Sequence, residues 1–181
     1  MLLIKQIAKS ILSIRRHYIM KLLLPPKNNQ LNNNKYNLLL IKDESDLIDG
    51  TYTVSLQKRL INKNLGYCET YICKEKATDE NVGIVSVMYK GGNELEYRIR
   101  NIEAFIYNLM VIPSRRGNGI AGNMLHQLAE SLTRKSITNV YLAVSQDNYS
   151  AIKAYNKAGF DIVSKKTFVR FLRVNLPYHC L

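Results

Sequence analysis

The stretch from Ile102 to Leu132 constrains the fold more than any other part of the chain. A long apolar run ends at Pro113, the segment Arg116-Gly117-Asn118-Gly119-Ile120-Ala121-Gly122 follows, and Ile120, Met124, Leu125, Leu128 and Leu132 then recur on one face of a helix. Strand, glycine-rich turn and amphipathic helix form one unit. The glycines let the backbone turn tightly, so that successive N–H groups and the positive end of the helix point into one concavity that accepts a diphosphate without side-chain charge. No Gly-Lys-Ser/Thr closes the loop as in a P-loop. Gly117, Gly119 and Gly122 satisfy the spacing of a dinucleotide fingerprint, but that pattern is too permissive to choose a ligand without its surroundings.

Those surroundings read as a mixed α/β sheet without internal repeats. Tyr36 to Ile41 is a strand-like apolar run, and Asp43-Glu44-Ser45-Asp46 supplies capping residues for a helical region reaching to about Asn62. Tyr67 to Lys74 and Val82 to Tyr89 are rich in strand formers, and Gly91-Gly92-Asn93 signals a turn. Beyond the glycine-rich unit, Val140 to Val144 reads as another strand. A helix from about Tyr149 to Ala158 then ends at Gly159, suited to a left-handed cap, and Phe160 to Val163 with Thr167 to Val174 make the last strands.

The beginning of the chain reads differently. Ile4, Ile7, Ile11, Ile14, Tyr18 and Leu22 recur at steps of three and four with Lys5, Lys9 and Arg16 opposite, which predicts a basic amphipathic helix over Met1 to Leu24. Pro25 and Pro26 stop it, and Lys27 to Lys35 is an Asn-rich connector. Residues 1–34 are therefore expected to be an appendage and residues 35–181 the main domain. The helix could pack on the domain, join a second subunit in a homodimer, or lie on an anionic membrane surface. Lys and Arg outnumber Asp and Glu by 26 to 14, which brings polyanionic partners into view. Nucleic acid is disfavoured because the basic segment lacks an aromatic stacking platform.

Lysines and arginines interrupt the first apolar stretch, so it lacks the clean core of a signal peptide, and no apolar run is long enough for a membrane-spanning helix. A cytoplasmic location, with peripheral membrane contact as the variant, is the resulting expectation. Cys68, Cys73 and Cys180 form no CxxC pair and no His/Cys cluster has zinc spacing, so the thiols read as reduced and no metal is expected.

Two separated patterns then fall in register with a known family. Arg116, Gly119 and Ala121 after the strand end Leu109-Met110-Val111-Ile112-Pro113 match one motif; Asn148, Ala151, Tyr155, Gly159 and Phe160 match a second. With both in this order and spacing, the chain resembles the GNAT superfamily of N-acetyltransferases, strongly from Phe105 to Phe160 and by element order from Tyr36 to Val174. The resemblance implies the acyl-CoA N-acyltransferase fold, a predominantly antiparallel twisted sheet flanked by helices and splayed between its fourth and fifth strands. It also implies an acyltransferase that carries acetyl from acetyl-CoA to a primary amine by direct attack on the thioester. The acceptor stays open between a small molecule such as an amino sugar and a protein N-terminus or lysine, with a non-catalytic CoA-binding module as the third reading.

The same resemblance suggests residue roles. Leu109, Met110 and Val111 would offer a strand edge to the pantetheine arm and N–H groups to the thioester oxygen. Arg116, Gly117, Asn118, Gly119, Ile120, Ala121 and Gly122 would cradle the diphosphate, with Arg115 as a further cation. Asn148 would contact the cofactor or cap its helix, and Tyr155 would protonate the departing thiolate. The positions where several relatives carry a glutamate hold Phe105 and Ala143 here, which leaves Glu103, two residues from Phe105, as the candidate base acting through water. His126 reads as a packing or surface residue, and His17 and His179 lie outside the motifs.

Overall fold

A computed structural model describes residues 12–26, 35–41, 68–89, 93–94, 97–171 and 174–177. Its strands, in chain order, are β1 (Leu12–Leu23), β2 (Tyr36–Leu40), β3 (Cys68–Glu75), β4 (Asn81–Met88), β5 (Asn93–Glu94), β6 (Tyr97–Arg98), β7 (Glu103–Val111), β8 (Asn139–Ser145), β9 (Asp161–Phe171) and β10 (Val174–Pro177). Helix α1 (Ile120–Arg134) joins β7 to β8, and α2 (Tyr149–Lys157) joins β8 to β9. The main sheet has the order β10-β9-β1-β8-β7-β4-β3-β2, while β5 and β6 form a small hairpin of their own. All neighbours in the large sheet are antiparallel except β7 and β8, which are parallel and joined by α1. That connection is the crossover a parallel pair requires. The region expected to be helical from Asp43 lies outside the described residues, as does the Gly91-Gly92 part of the expected turn.

One expectation fails outright. The segment 12–23 is not an amphipathic helix but a strand inside the sheet, antiparallel to β8 on one side and β9 on the other. Met20 and Leu22 enter the main core, whereas Ile19 enters a second cluster on the opposite face. At a period of two, Ile14, Tyr18, Met20 and Leu22 fall on one face and Arg15, His17 and Lys21 on the other, but Ile14, Tyr18 and Leu22 are also four residues apart, so spacing alone fits a helix as well. Membrane contact through a helix thus has no basis over these residues, and residues 1–11 lie outside the described part. The last strands also differ from expectation: Asp161 to Phe171 is one continuous strand, shifted in register against β1 near Val163.

The main core lies between the sheet and the two helices. Met124, Leu125, Leu128 and Leu132 from α1 meet Val82, Val85, Val87, Val140 and Leu142 from the sheet, with Tyr155 and Phe160 closing the α2 end. Fully burying one such aliphatic side chain contributes about 1.5–3 kcal/mol, so this stripe is what fixes α1 on the sheet. Polar bonds set its rotation. Gln127 accepts from the Leu38 N–H at 2.9 Å and donates to the Tyr36 carbonyl at 3.0 Å, tying α1 to the edge strand β2. At the other end Glu69 accepts from the Tyr71 and Tyr89 hydroxyls at 2.5 Å each and pairs with Lys135 just beyond α1. Burial opposes ionisation of Glu69, but the bonds from Lys135, Tyr71 and Tyr89 outweigh it and hold its pKa below the usual carboxylate value.

The thiols follow the alternation of β3. Cys73 is buried in the main core and burial pushes its pKa up to about 12, whereas Cys68 is half-buried against the opposite cluster. A thiol so far from ionisation is a packing group rather than a nucleophile.

Candidate functional site

Two departures from regularity create the site. Along β7 the pairing with β4 skips a residue: Val87 faces Ile106 while Ser86 faces Asn108, so Tyr107 is an extra residue and the strand carries a β-bulge. On its other side β7 pairs with β8 only from Glu103 to Ile106, opposite Asn139 to Leu142. Beyond Leu142, β8 follows β1 instead, up to Ser145 opposite His17. The two strands therefore splay, and the last part of β7 faces a gap. The Ile112 N–H donates to the Val82 carbonyl on the β4 side, so alternation turns the N–H and C=O groups of Leu109 and Val111 toward that gap.

The loop after β7 turns through Pro113–Arg115 into α1. Gly117 and Gly119 adopt positive φ angles of 84° and 75°, which explains glycine at both. The first intrahelical bond runs from the Asn123 N–H to the Gly119 carbonyl, so the N–H groups before it have no acceptor within the helix. No side chain caps this end and no acidic residue lies in its first turn. The contrast with α2 is direct, because there Asn148 accepts from the Ala151 N–H at 3.2 Å and acts as the cap. A Cβ added at Gly117 or Gly119 would meet nothing within 4 Å, so the concavity in front of α1 is open space. Free N–H donors, the positive helix end and open volume together fit an anionic group such as a diphosphate.

Gap and loop belong to one cleft of about 650 Å³. Leu109, Met110, Val111, Arg116, Gly117, Gly119, Ile120, Ala121, Gly122, Asn148 and Tyr155 line it, so the structure brings together nearly all of the residues expected from the sequence. Asn118 instead turns away, its amide donating to the Arg115 carbonyl at 3.1 Å, where it stiffens the loop. Arg115 borders the cleft, but its guanidinium bonds to Glu80 at 2.6 Å and to Glu75 at 3.2 Å, anchoring the loop to the β3–β4 turn. Arg116 donates from Nε to the Val111 carbonyl at 3.1 Å, closing the strand end against the loop.

Tyr155 reaches the cleft from the buried face of α2. Its ring packs on Phe160 at 6.0 Å between centroids, and burial raises its pKa above the ordinary phenol value. The hydroxyl is therefore protonated throughout the neutral range. Glu103 is placed elsewhere. It stands at the opposite end of β7, about 20 Å along the strand from Leu109 at roughly 3.3 Å per residue. Its carboxylate accepts from the Arg100 N–H at 3.0 Å, holding the turn that precedes the strand. The sequence places it on the face of Phe105, and the structure puts it at the far end of β7 from Leu109, where it holds the turn before the strand. His126 sits on α1 with Nε2 3.4 Å from Glu130, a helix-surface pair, and His179 lies outside the described residues.

The bulge, the splay and the uncapped helix end are found together with both sequence motifs, and comparison with known proteins agrees. The family model described as Acetyltransferase (GNAT) family matches residues 36–160. The chloroplastic GCN5-related N-acetyltransferase 6 of Arabidopsis thaliana is 40% identical over 68 residues, covering 38% of this chain and 24% of that protein. The chain thus spans about a quarter of the length of that curated relative. Among solved structures, a GCN5-related N-acetyltransferase from Sphaerobacter thermophilus superposes with a TM-score of 0.63 at 14% identity, over 97% of this chain and 57% of that one. A Bacillus subtilis acetyltransferase in complex with CoA superposes with a TM-score of 0.53 at 16% identity, over 72% and 79% of the two chains. With the family match extending from β2 to the residue that closes α2 and the fold shared beyond it, this chain belongs to the GNAT family of acetyltransferases.

Proposed function

We propose that the protein transfers the acetyl group of acetyl-CoA to a primary amine by direct attack of the amine on the thioester. The observation that carries this reading is the α1 N-terminus. Its uncapped N–H groups open into the same cleft as the unpaired edge of β7 and the buried Tyr155 hydroxyl. Each part suits one portion of the substrate. The loop from Gly117 to Gly122 holds the diphosphate, and the edge at Leu109 and Val111 pairs with the amide groups of the pantetheine arm as an added strand would.

An N–H of that edge also stabilises the charge that develops on the thioester oxygen, an effect of about 3 kcal/mol for a well-placed donor. Tyr155 gives its proton to the sulfur as the C–S bond breaks, the nitrogen that has joined the carbonyl carbon loses its extra proton to water, and water returns one to the phenolate. Its raised pKa keeps that proton available, and a thiolate leaving inside the same desolvated cleft has its own proton affinity raised.

The test is thiol release from acetyl-CoA against glucosamine, a peptide with a free α-amine and a peptide with an internal lysine. Release that depends on one of these amines supports the reading and identifies the acceptor class. Tight binding of acetyl-CoA with no release for any amine or for water would leave a CoA-binding module in its place.

A further inference from the structure

The excess positive charge of the chain is not spread along it. Residues 43–161 hold 14 basic and 14 acidic side chains, whereas residues 1–42 and 162–181 hold 12 basic side chains and no acidic one. The whole net charge of +12 therefore belongs to two segments far apart in sequence. The fold joins them, because β1 and all of β9 after Asp161 come from these segments and pair with each other.

Their ladder sets Tyr18 opposite Lys165 and His17 opposite Lys166, with Arg16 and Arg15 on either side of the same stretch of β1 and β9, opposite Thr167 and Phe168. Arg15, Arg16, Lys165 and Lys166 are thus gathered at one corner of the sheet. All four are exposed, and none forms an ion pair with a described carboxylate. Elsewhere Lys74 pairs with Asp79, Arg115 with Glu75 and Glu80, and Lys135 with Glu69. One acidic side chain is close along the chain: Asp147, exposed just after Gln146, whose N–H donates to the Arg16 carbonyl at 2.9 Å. Glu103 and Asp161 stand at the far end of the ladders, opposite Asn139 and Lys21.

The position of this corner gives it a use. Ser145 ends β8 at the border of the gap, His17 lies opposite Ser145, and Lys166 lies opposite His17. At about 4.8 Å per strand, His17 and Lys166 are roughly 5 and 10 Å from that border, comparable with the screening length of about 8 Å at physiological salt. Burial, then the charge of Arg15, lowers the pKa of His17, so the field is felt next to Ser145. By alternation Arg15 and Lys166 share a face with His17 and Ile19, and Ile19 belongs to the cluster on the side away from the helices. The cofactor cleft is lined by residues of α1 and α2, none of the four cations lines it, and the diphosphate loop hangs from β7 across the gap. An amine that meets the thioester from the face opposite the helices therefore passes beside Arg15 and Lys166.

We propose that the acceptor is an amine carrying its own anionic group, a phosphate or a carboxylate, which Arg15 and Lys166 attract and hold beside the gap while the amine reaches the thioester. This names the acceptor class of the acetyltransferase reading above and rests on it. A sugar phosphate and a peptide with acidic residues next to its α-amine share the required chemistry, an anion about 5–10 Å from the nucleophilic nitrogen. Unpaired cations of one sign at the mouth of a cleft raise the local concentration and association rate of such a molecule by about 10–10³-fold.

The experiment measures kcat/KM for matched acceptors at saturating acetyl-CoA, so that binding of the anionic donor does not enter. One pair is glucosamine and glucosamine 6-phosphate; the other is two α-amine peptides with glutamine or glutamate at their second and third positions. The proposal expects the anionic member of at least one pair to be favoured at least about tenfold at low ionic strength, mainly through KM. The preference should shrink as KCl is raised to roughly 0.5 M. Arg15→Gln with Lys166→Gln should abolish it, whereas Arg134→Gln with Lys76→Gln, the same charge removed from two exposed positions elsewhere, should keep it.

Turnover by wild type without preference in either pair overturns the proposal and leaves the acetyltransferase reading intact, as does a preference that the Arg15→Gln, Lys166→Gln protein retains. Absence of preference together with binding to a DNA duplex or to phosphatidylserine vesicles, lost in that variant, also overturns it and assigns the charge to a surface partner. No release by wild type with any amine overturns both readings. Should the double variant not fold, the wild-type salt response decides, and a preference that KCl does not diminish refutes the proposal.

Discussion

Gly119→Ala separates the cost of the turn from its use. The native φ is 75°, a region that costs an L-residue about 1–2 kcal/mol, whereas the new Cβ would touch nothing within 4 Å. Lower entropy of the unfolded chain offsets about 0.4–1 kcal/mol of this. The net loss of stability is then about 1 kcal/mol, or a fall of roughly 2–4 °C in Tm for a domain of this size. Binding should suffer more, because the open space beside Gly119 is where a diphosphate must approach the helix N–H groups. A loss of at least about tenfold in acetyl-CoA affinity, about 1.4 kcal/mol, is expected by calorimetry. Leu128→Ala is the converse. Leu128 is fully buried in the core and does not line the cleft, so it should lose about 2–5 kcal/mol of stability and keep its affinity while folded. A folded Gly119→Ala protein that binds acetyl-CoA like wild type would refute the reading of this loop as the diphosphate site.

Tyr155→Phe keeps the ring against Phe160, so acetyl-CoA affinity should stay within a few-fold of wild type while kcat falls by about 10²-fold in steady-state kinetics. A chain begun at Lys35 loses β1, leaving β8 and β9 without their shared neighbour and removing Met20 and Leu22 from the core. It should be aggregated or lack a cooperative unfolding transition by circular dichroism and size-exclusion chromatography, and a monomer that melts cooperatively would contradict the placement of β1. Because the folded pKa of Glu69 is depressed, its contribution to stability is present above the unfolded value of about 4.3 and is lost as pH falls through the folded value. The Tm difference between wild type and Glu69→Gln should therefore be largest near pH 7 and shrink below about pH 4; a constant difference across that range contradicts the linkage.

The cofactor half of the site was legible because its chemistry is local. Glycines at positive φ, a proline at the strand end and a helix stripe are written in consecutive residues, as is the Gly159 cap with its φ of 92°. The acceptor half was not legible. Near Phe105 and Ala143 the sequence offers one carboxylate, Glu103, two residues before Phe105. The structure sets it at the far end of β7 from Leu109, bonded to the Arg100 N–H. The strand β1 was read as a helix because Ile14, Tyr18 and Leu22, four residues apart, share a face in a strand as well as in a helix. The signal that could have found it is compositional: Ile14, Tyr18 and Ile19 are better strand than helix formers.

The position of β1 bears on the gap itself as well as on the face beside it. β8 is accompanied by β1 from Asn139 to Ser145, whereas β7 keeps it only from Asn139 to Leu142. Past Leu142 the course of β8 is thus set by its antiparallel partner, and the parallel ladder to β7 is the one that opens. On the other side β4 holds β7 as far as Val111, with the bulge at Tyr107 absorbing the change in direction. The cleft is therefore a seam between two well-paired sheets, β2-β3-β4-β7 and β8-β1-β9-β10, joined only where Glu103 to Ile106 meet Asn139 to Leu142. A substrate arm that pairs with the free edge of β7 extends the first sheet without disturbing the second. Any substitution in β1 that weakens its hold on β8 should then act on the width of the cleft before it acts on the diphosphate loop, which hangs from β7 and α1.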